Sequence, residues 1–171
     1  TGLEAMAARY AGADVLATDI NDLPLALLEF AAAQPCNEGA GSLTTAKLDL
    51  LGDEPLPPCD LLIAADCIYN LGLARRLAVR ALEGWSEVGA HVLVADSQGF
   101  HRVDFYKSLV DEWASAKHRA CADVSAAEQR TLPELIDVEV QQFEGSGMLL
   151  EGDLTYDITV RYLGLPAKGA D

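Results

Sequence analysis

Acidic residues stand where several apolar runs end. Asp19 closes ADVLATD, Asp49 lies near the end of SLTTAKLDLL, Asp66 closes DLLIAAD and Asp96 closes AHVLVAD. A carboxylate in such a place can accept hydrogen bonds from a ligand hydroxyl or amine. It can also stabilise a cation formed beside it. Its ordinary alternative is a turn or helix N-cap, because Asp bonds nearby backbone. Asp19, Asp66 and Asp96 share one pattern, in which Ala or Thr precedes the acid. Together the acids predict one polar rim. Asp19 is the most specific. It follows Gly2 at roughly the twenty-residue distance that separates a Gly turn from a ribose-binding acid. Tyr69 stands three residues after Asp66 and Asn70 four. The spacing of three predicts Asp66 and Tyr69 on one side of a helical turn.

The elements that must hold these acids are legible in the periodicity. Leu3, Met6, Ala7 and Tyr10 fall on one helical face, and Gly12 suits its end. A short strand, ADVLATD, follows. Asp22 can cap a helix with Pro24 in its first turn and Leu25, Leu28 and Ala32 on one face. Pro35 and NEGAG end it. DLLIAAD and AHVLVAD are apolar without alternation, as in strands covered on both faces. Between them LGLARRLAVRALEGW reads as a helix with Leu73, Leu77 and Ala81 on one side. The next helix turns Phe105, Tyr106, Leu109, Val110 and Trp113 inward and ends in KHR, favourable at a helix C-terminus. LIDVEVQQFE and LTYDITVRYL alternate, and GSGMLLEGD is the expected turn of an antiparallel hairpin. Alternating strands and helices predict an α/β class with a mostly parallel sheet. The hairpin adds an antiparallel edge, and no linker or repeat divides the chain.

Composition narrows the function. The 171 residues carry a formal net charge of −15. That charge disfavours nucleic acid and attracts basic partners, besides promoting solubility. No apolar run has transmembrane length, so no membrane partner is expected. Cys36, Cys59, Cys67 and Cys121 form no C-x-x-C pair and read as reduced thiols. His91, His101 and His118 show no metal-ligand spacing, and no metal is expected. Trp85 and Trp113 read as packing. No targeting segment is visible, and the tail LPAKGAD reads as frayed.

A Gly turn at a helix start followed by Asp19 points to an adenosine-containing ligand. A dinucleotide needs a second mononucleotide half, and a hairpin stands there instead. S-adenosylmethionine needs only the adenosine pocket and room for its amino-acid tail. The whole chain resembles class I S-adenosylmethionine-dependent methyltransferases, in particular the lysine-methyltransferase-like branch. That branch includes the electron-transfer-flavoprotein β-subunit lysine methyltransferases and nicotinamide N-methyltransferase-like proteins. TGLEAMAARYAGADVLATDIND is similar to the end of that family's first motif, its second strand and its acid. DLLIAADCIYN resembles its acidic-x-x-aromatic motif, AHVLVADSQGFHR its strand-five segment and YDITVRYL its closing strand.

The resemblance implies a Rossmann-like methyltransferase domain over residues 1–165, with a disordered tail at 166–171. The family's first strand and most of its Gly loop have no counterpart, which implies about fifty or more residues upstream. Ser97-Gln98-Gly99 stands in place of the family's Pro-Gly-Arg. The implied roles place Asp19 and Ile20 at the ribose and adenosine, Asp49 at the adenine amino group and Thr1 and Gly2 at the methionine tail. Asp53 competes with Asp49. Ala65 lines the methyl channel, Asp66 and Tyr69 flank the acceptor amine, and Asn70 orients their turn. A protein lysine is the favoured acceptor and a small amine the alternative, in the cytoplasm or the mitochondrial matrix. A non-catalytic methyltransferase-like binding module is the reading from another class. A serine hydrolase is weighed on Ala95-Asp96-Ser97-Gln98-Gly99, which has the form of a nucleophile elbow. Only His101 and His118 follow that serine, with no acid-bearing strand between, so the required order is missing.

Overall fold

The computed structural model describes residues 2–34, 39–97, 99–119, 137–149 and 152–166. The elements run α1 (Leu3–Tyr10), β1 (Val15–Asp19), α2 (Asp22–Ala32), β2 (Leu43–Lys47), β3 (Leu61–Ala65), α3 (Leu71–Glu83), β4 (His91–Asp96), α4 (Arg102–Arg119), β5 (Asp137–Leu149) and β6 (Gly152–Leu165). They form two compact units, Thr1–Glu54 and Pro55–Asp171. Among the described residues the strands pair in two sheets, where the sequence pattern predicted one.

In the first unit β1 and β2 are parallel, with Val15 opposite Leu43 and Asp19 opposite Lys47. Helix α1 stops where Gly12 adopts φ 94°. There Gly12 N donates to Arg9 O and Ala13 N to Ala8 O, which satisfies the last carbonyls. The apolar face of α1 is not its buried side. Leu3 is 75% exposed and Tyr10 is exposed, while Ala5 is buried. Arg9 decides this rotation. Its Nε donates to Gly41 O at 3.1 Å and its own carbonyl accepts from Gly41 N, so the helix turns that side toward the chain entering β2. Helix α2 buries Leu25 and Leu28, as its periodicity predicts. Its cap position is Asn21, not Asp22. At the other end of β1, Asp14 accepts from the amide and hydroxyl of Ser42, and these bonds hold its carboxyl below the usual carboxylate range.

In the second unit the sheet order is β3-β4-β6-β5. β3 and β4 are parallel and β6 is antiparallel to both β4 and β5. The closing hairpin is longer than its sequence suggests. Gly145, Ser146 and Gly147 are strand residues opposite Tyr156, Thr155 and Leu154, and pairing runs on to Leu149 opposite Gly152. The β-rich partner strand supplies the pairing, so GSG does not start the turn. The core joins Leu77, Ala78 and Ala81 of α3, Val92 and Val94 of β4, Phe105 and Leu109 of α4, and Leu165 of β6. Each large side chain buried there contributes roughly 1.5–3 kcal/mol. Tyr106, predicted inward, is exposed, because the stripe that packs on α3 is centred on Phe105 and Leu109. Helix α3 continues into a π-helical turn, Gly84–Val88, that presents Trp85. The Trp85 ring packs on Trp113 with centroids 5.0 Å apart, and its Nε1 donates to Pro166 O at 2.7 Å. Arg80 is also interior, only 2% exposed, and pairs with Glu83 at 2.6 Å. Glu83 in turn accepts from Leu56 N, which fixes the chain approaching β3.

Candidate functional site

In the first unit Asp19 is the last residue of β1. Its Oδ1 accepts from Asn21 N at 2.8 Å and lies 3.4 Å from Asn21 Nδ2. This is an Asx-type turn, which carries the chain from the strand into α2. Asp19 Oδ2 has no hydrogen bond among the described residues. Ile20, the next residue, is 57% exposed. Gly2 precedes α1 with φ 78°, and a Cβ there would meet Leu28 Cδ1 at 2.9 Å. The position therefore asks for glycine twice, by conformation and by the close approach of α2. Thr1 lies outside the described residues.

Asp49 is displaced from its predicted place. β2 ends at Lys47, so Asp49 sits in the following turn and is exposed. Its Oδ1 accepts from Leu51 N at 2.9 Å and its carbonyl from Gly52 N at 3.0 Å. The strand stops because this turn uses the backbone that a longer ladder would need. Leu48 N donates to Asp19 O, so Asp19 and Asp49 still leave the same end of the two-stranded sheet.

The second unit contains Ala65, Asp66, Tyr69 and Asn70. Ala65 ends β3 opposite Ala95 of β4. Asp66 follows with φ 51°, the only non-glycine residue with positive φ among those described. The left-handed region costs a side chain free energy, and Asp and Asn bear it best. Three hydrogen bonds hold this conformation. Asp66 N donates to Ala95 O at 2.9 Å. Asp66 Oδ1 accepts from Ser97 N at 2.7 Å and from Ser97 Oγ at 2.8 Å. Ser97 Oγ also lies 2.9 Å from Asp66 Oδ2. A hydroxyl has one proton, so it serves one carboxylate oxygen at a time and leaves the other lone pairs open.

The predicted helical turn over Asp66 and Tyr69 is not formed. Residues 66–70 are bends and extended chain, and the left-handed Asp66 prevents a right-handed turn from starting there. The segment is anchored by Ile68, which is buried, while Tyr69 is 62% exposed. Helix capping falls to Asn70, whose side chain accepts from Leu73 N at 2.9 Å. Asp66 is therefore not the helix cap, and Tyr69 is not core packing.

Asp96 differs from the other strand-end acids. It is 4% exposed, accepts from Gly99 N at 3.0 Å and lies 3.7 Å from Arg102 Nε. It shapes the turn into α4 and pairs with the arginine that starts the helix. The hydrolase geometry does not form among the described residues. Ser97 Oγ faces the Asp66 carboxylate, and the ring of His101 bonds Asp104. Sequence reasoning weighed Ser97 as a nucleophile and as part of the turn that replaces the family's Pro-Gly-Arg, and missed its contact with Asp66. The available signal was the matching IAAD and LVAD endings of adjacent parallel strands. In register, they bring the residue after the second acid beside the first.

No family model matches this chain, and no curated protein sequence does. Solved structures do match. A SAM-dependent methyltransferase from Methanosarcina mazei superposes with TM-score 0.52 at 14% identity, over 96% of this chain and 87% of that one. A protein described in the conversion of a disulfide bond into a thioacetal group during echinomycin biosynthesis gives TM-score 0.53 at 13% identity, over 99% of this chain and 73% of that one. At such identity the likeness is one of fold, and the fold of this chain is Rossmann-like and α/β, similar to that of SAM-dependent methyltransferases.

Proposed function

We propose that this protein is an S-adenosylmethionine-dependent N-methyltransferase whose favoured acceptor is a protein lysine side chain. The observation that carries the reading is Asp66. It is an exposed carboxylate, held in strained backbone directly past β3, with accepting capacity left at its oxygens and an exposed tyrosine three residues on. Strain kept at a strand end is a mark of functional sites. The fold and the chain-long motif resemblance supply the reaction class.

When bound, S-adenosylmethionine supplies an electrophilic methyl group on a sulfonium, open to in-line attack by a nitrogen lone pair. Asp19 fits the ribose, because one carboxylate oxygen orders the turn and the other remains open to hydroxyl donors. Ile20 offers exposed apolar surface for an adenine face, and Asp49 a carboxylate for its amino group. Gly2 and Thr1 would hold the amino-acid tail, and Ala65 the wall beside the methyl group. Asp66 accepts an N–H of the neutral acceptor amine, which orients the lone pair away from the carboxylate. It then pairs with the ammonium formed. The ring of Tyr69 offers a π face to the same cation. The acidic chain, at −15, favours a basic protein partner over nucleic acid.

The test incubates the protein with methyl-labelled cofactor and a cell extract. Label in lysines of the protein fraction is the expected result. Label confined to small molecules replaces the acceptor by a small amine. Calorimetric binding of S-adenosylhomocysteine without any transfer leaves a binding module, and no binding at all removes the enzyme reading.

A further inference from the structure

We propose that Ser97 is a positioning residue that sets the Asp66 carboxylate for the acceptor amine, and this inference rests on the methyltransferase reading of Asp66. An exposed aspartate side chain ordinarily samples several rotamers. Asp66 is exposed, yet its carboxylate meets two donors of Ser97, the amide at 2.7 Å and the hydroxyl at 2.8 Å from Oδ1. These contacts cross the sheet, from the end of β4 to the end of β3. They come with a third, from Asp66 N to Ala95 O, that fixes the backbone of the same residue. The amide proton has no other acceptor to choose, so Oδ1 is the tethered oxygen. The hydroxyl lies 2.9 Å from Oδ2 and can turn between the two oxygens. Oδ2 is thus the oxygen presented to the amine, and rotation of the Ser97 hydroxyl back to Oδ1 opens a lone pair on it.

The competing role for Ser97, a nucleophile, needs a base that takes its proton and a group that orients the base. Its neighbour is a carboxylate that accepts its proton as a hydrogen bond, and the His101 ring is engaged by Asp104. Ser97 therefore works through Asp66.

The test measures kcat and KM for transfer of labelled methyl groups to total extract protein, together with calorimetric affinity for S-adenosylhomocysteine. Ser97→Ala keeps the amide but loses the hydroxyl, and is expected to lower kcat about 10-fold, a modest misplacement of a reacting group. Cofactor affinity stays unchanged, and Ser97→Thr restores most of the rate. Wild-type activity with full activity in Ser97→Ala overturns the positioning role and leaves the methyltransferase reading intact. Equal loss of cofactor affinity and rate in Ser97→Ala also overturns it, since that is the mark of a merely structural residue. No transfer by the wild type overturns the methyltransferase reading and this inference with it.

Discussion

Asp19 ends one parallel strand and Asp66 directly follows another, in two different units, and both tie one carboxylate oxygen to a backbone amide. The ties differ in reach. Asp19 bonds Asn21, two residues on, whereas Asp66 bonds Ser97, thirty-one residues on. The first tie is a local turn that any Asp-x-Asn can make in isolation. The second exists only when β3 and β4 stand side by side in register. The backbone differs accordingly. A left-handed residue persists where its surroundings over-determine it, and Asp66 has both the sheet and Ser97 to do so. A locally tied acid suits a binding role that tolerates adjustment. One tied across a sheet suits the placing of a reacting atom.

The comparison can be broken first at its support. Phe105 and Leu109 fill the core beneath the sheet that carries Asp66. Phe105→Ala should cost about 3–5 kcal/mol in urea unfolding. A loss below 1 kcal/mol would show that the clamp does not depend on this core. Next in size is the charge itself. Asp66→Asn can still accept from Ser97 N but carries no charge, and methyl transfer should fall about 100-fold with S-adenosylhomocysteine affinity unchanged. Full activity in this variant removes Asp66 from the chemistry. Asp19→Ala should act on the other side of the comparison. It should weaken S-adenosylhomocysteine by about 10- to 100-fold in calorimetry, the value of a charged hydrogen bond, and spare kcat at saturating cofactor. Loss of kcat instead would erase the distinction between the two acids.

Asn70→Ala removes the cap of α3 and should cost about 1 kcal/mol of stability. It sharpens the comparison if activity survives in the remaining folded protein, since that separates helix capping from the work of Asp66. The smallest effect concerns Asp14, which Ser42 holds below its ordinary 3.8. A depressed carboxyl contributes stability above its unfolded value and loses it as pH falls through the folded one. Asp14→Asn should therefore lower neutral stability slightly and flatten the acid limb of the stability curve below about pH 4, so that the two proteins converge in acid. An unchanged acid limb would mean that the Ser42 contact is too exposed to matter.

Legibility followed the range of the interaction. The apolar runs, the helices over Leu25 and Leu28 and over Phe105 and Leu109, and the closing hairpin follow from periodicity alone. The face of α1 did not, because Arg9 meets the Gly41 backbone from thirty-two residues away. Nor did the length of β5, since Gly-Ser-Gly joins a strand only when a partner strand presents its ladder. At the candidate site, residue types marked Asp66 and Tyr69, but the predicted helical turn between them failed.

The sequence by itself determined that acids stand at strand ends and that Asp19 is placed to form a turn. Each rests on atoms within about four residues, where the chain's own geometry limits the outcomes. Only the tertiary structure decided that Asp96 is buried against Arg102 while Asp66 is exposed, although both end apolar runs in Ala-Asp. It also decided that the serine following one acid serves the other. The physical reason is register. Parallel pairing of Ala65 with Ala95 brings together side chains that sequence separation keeps apart, and no local preference encodes that meeting.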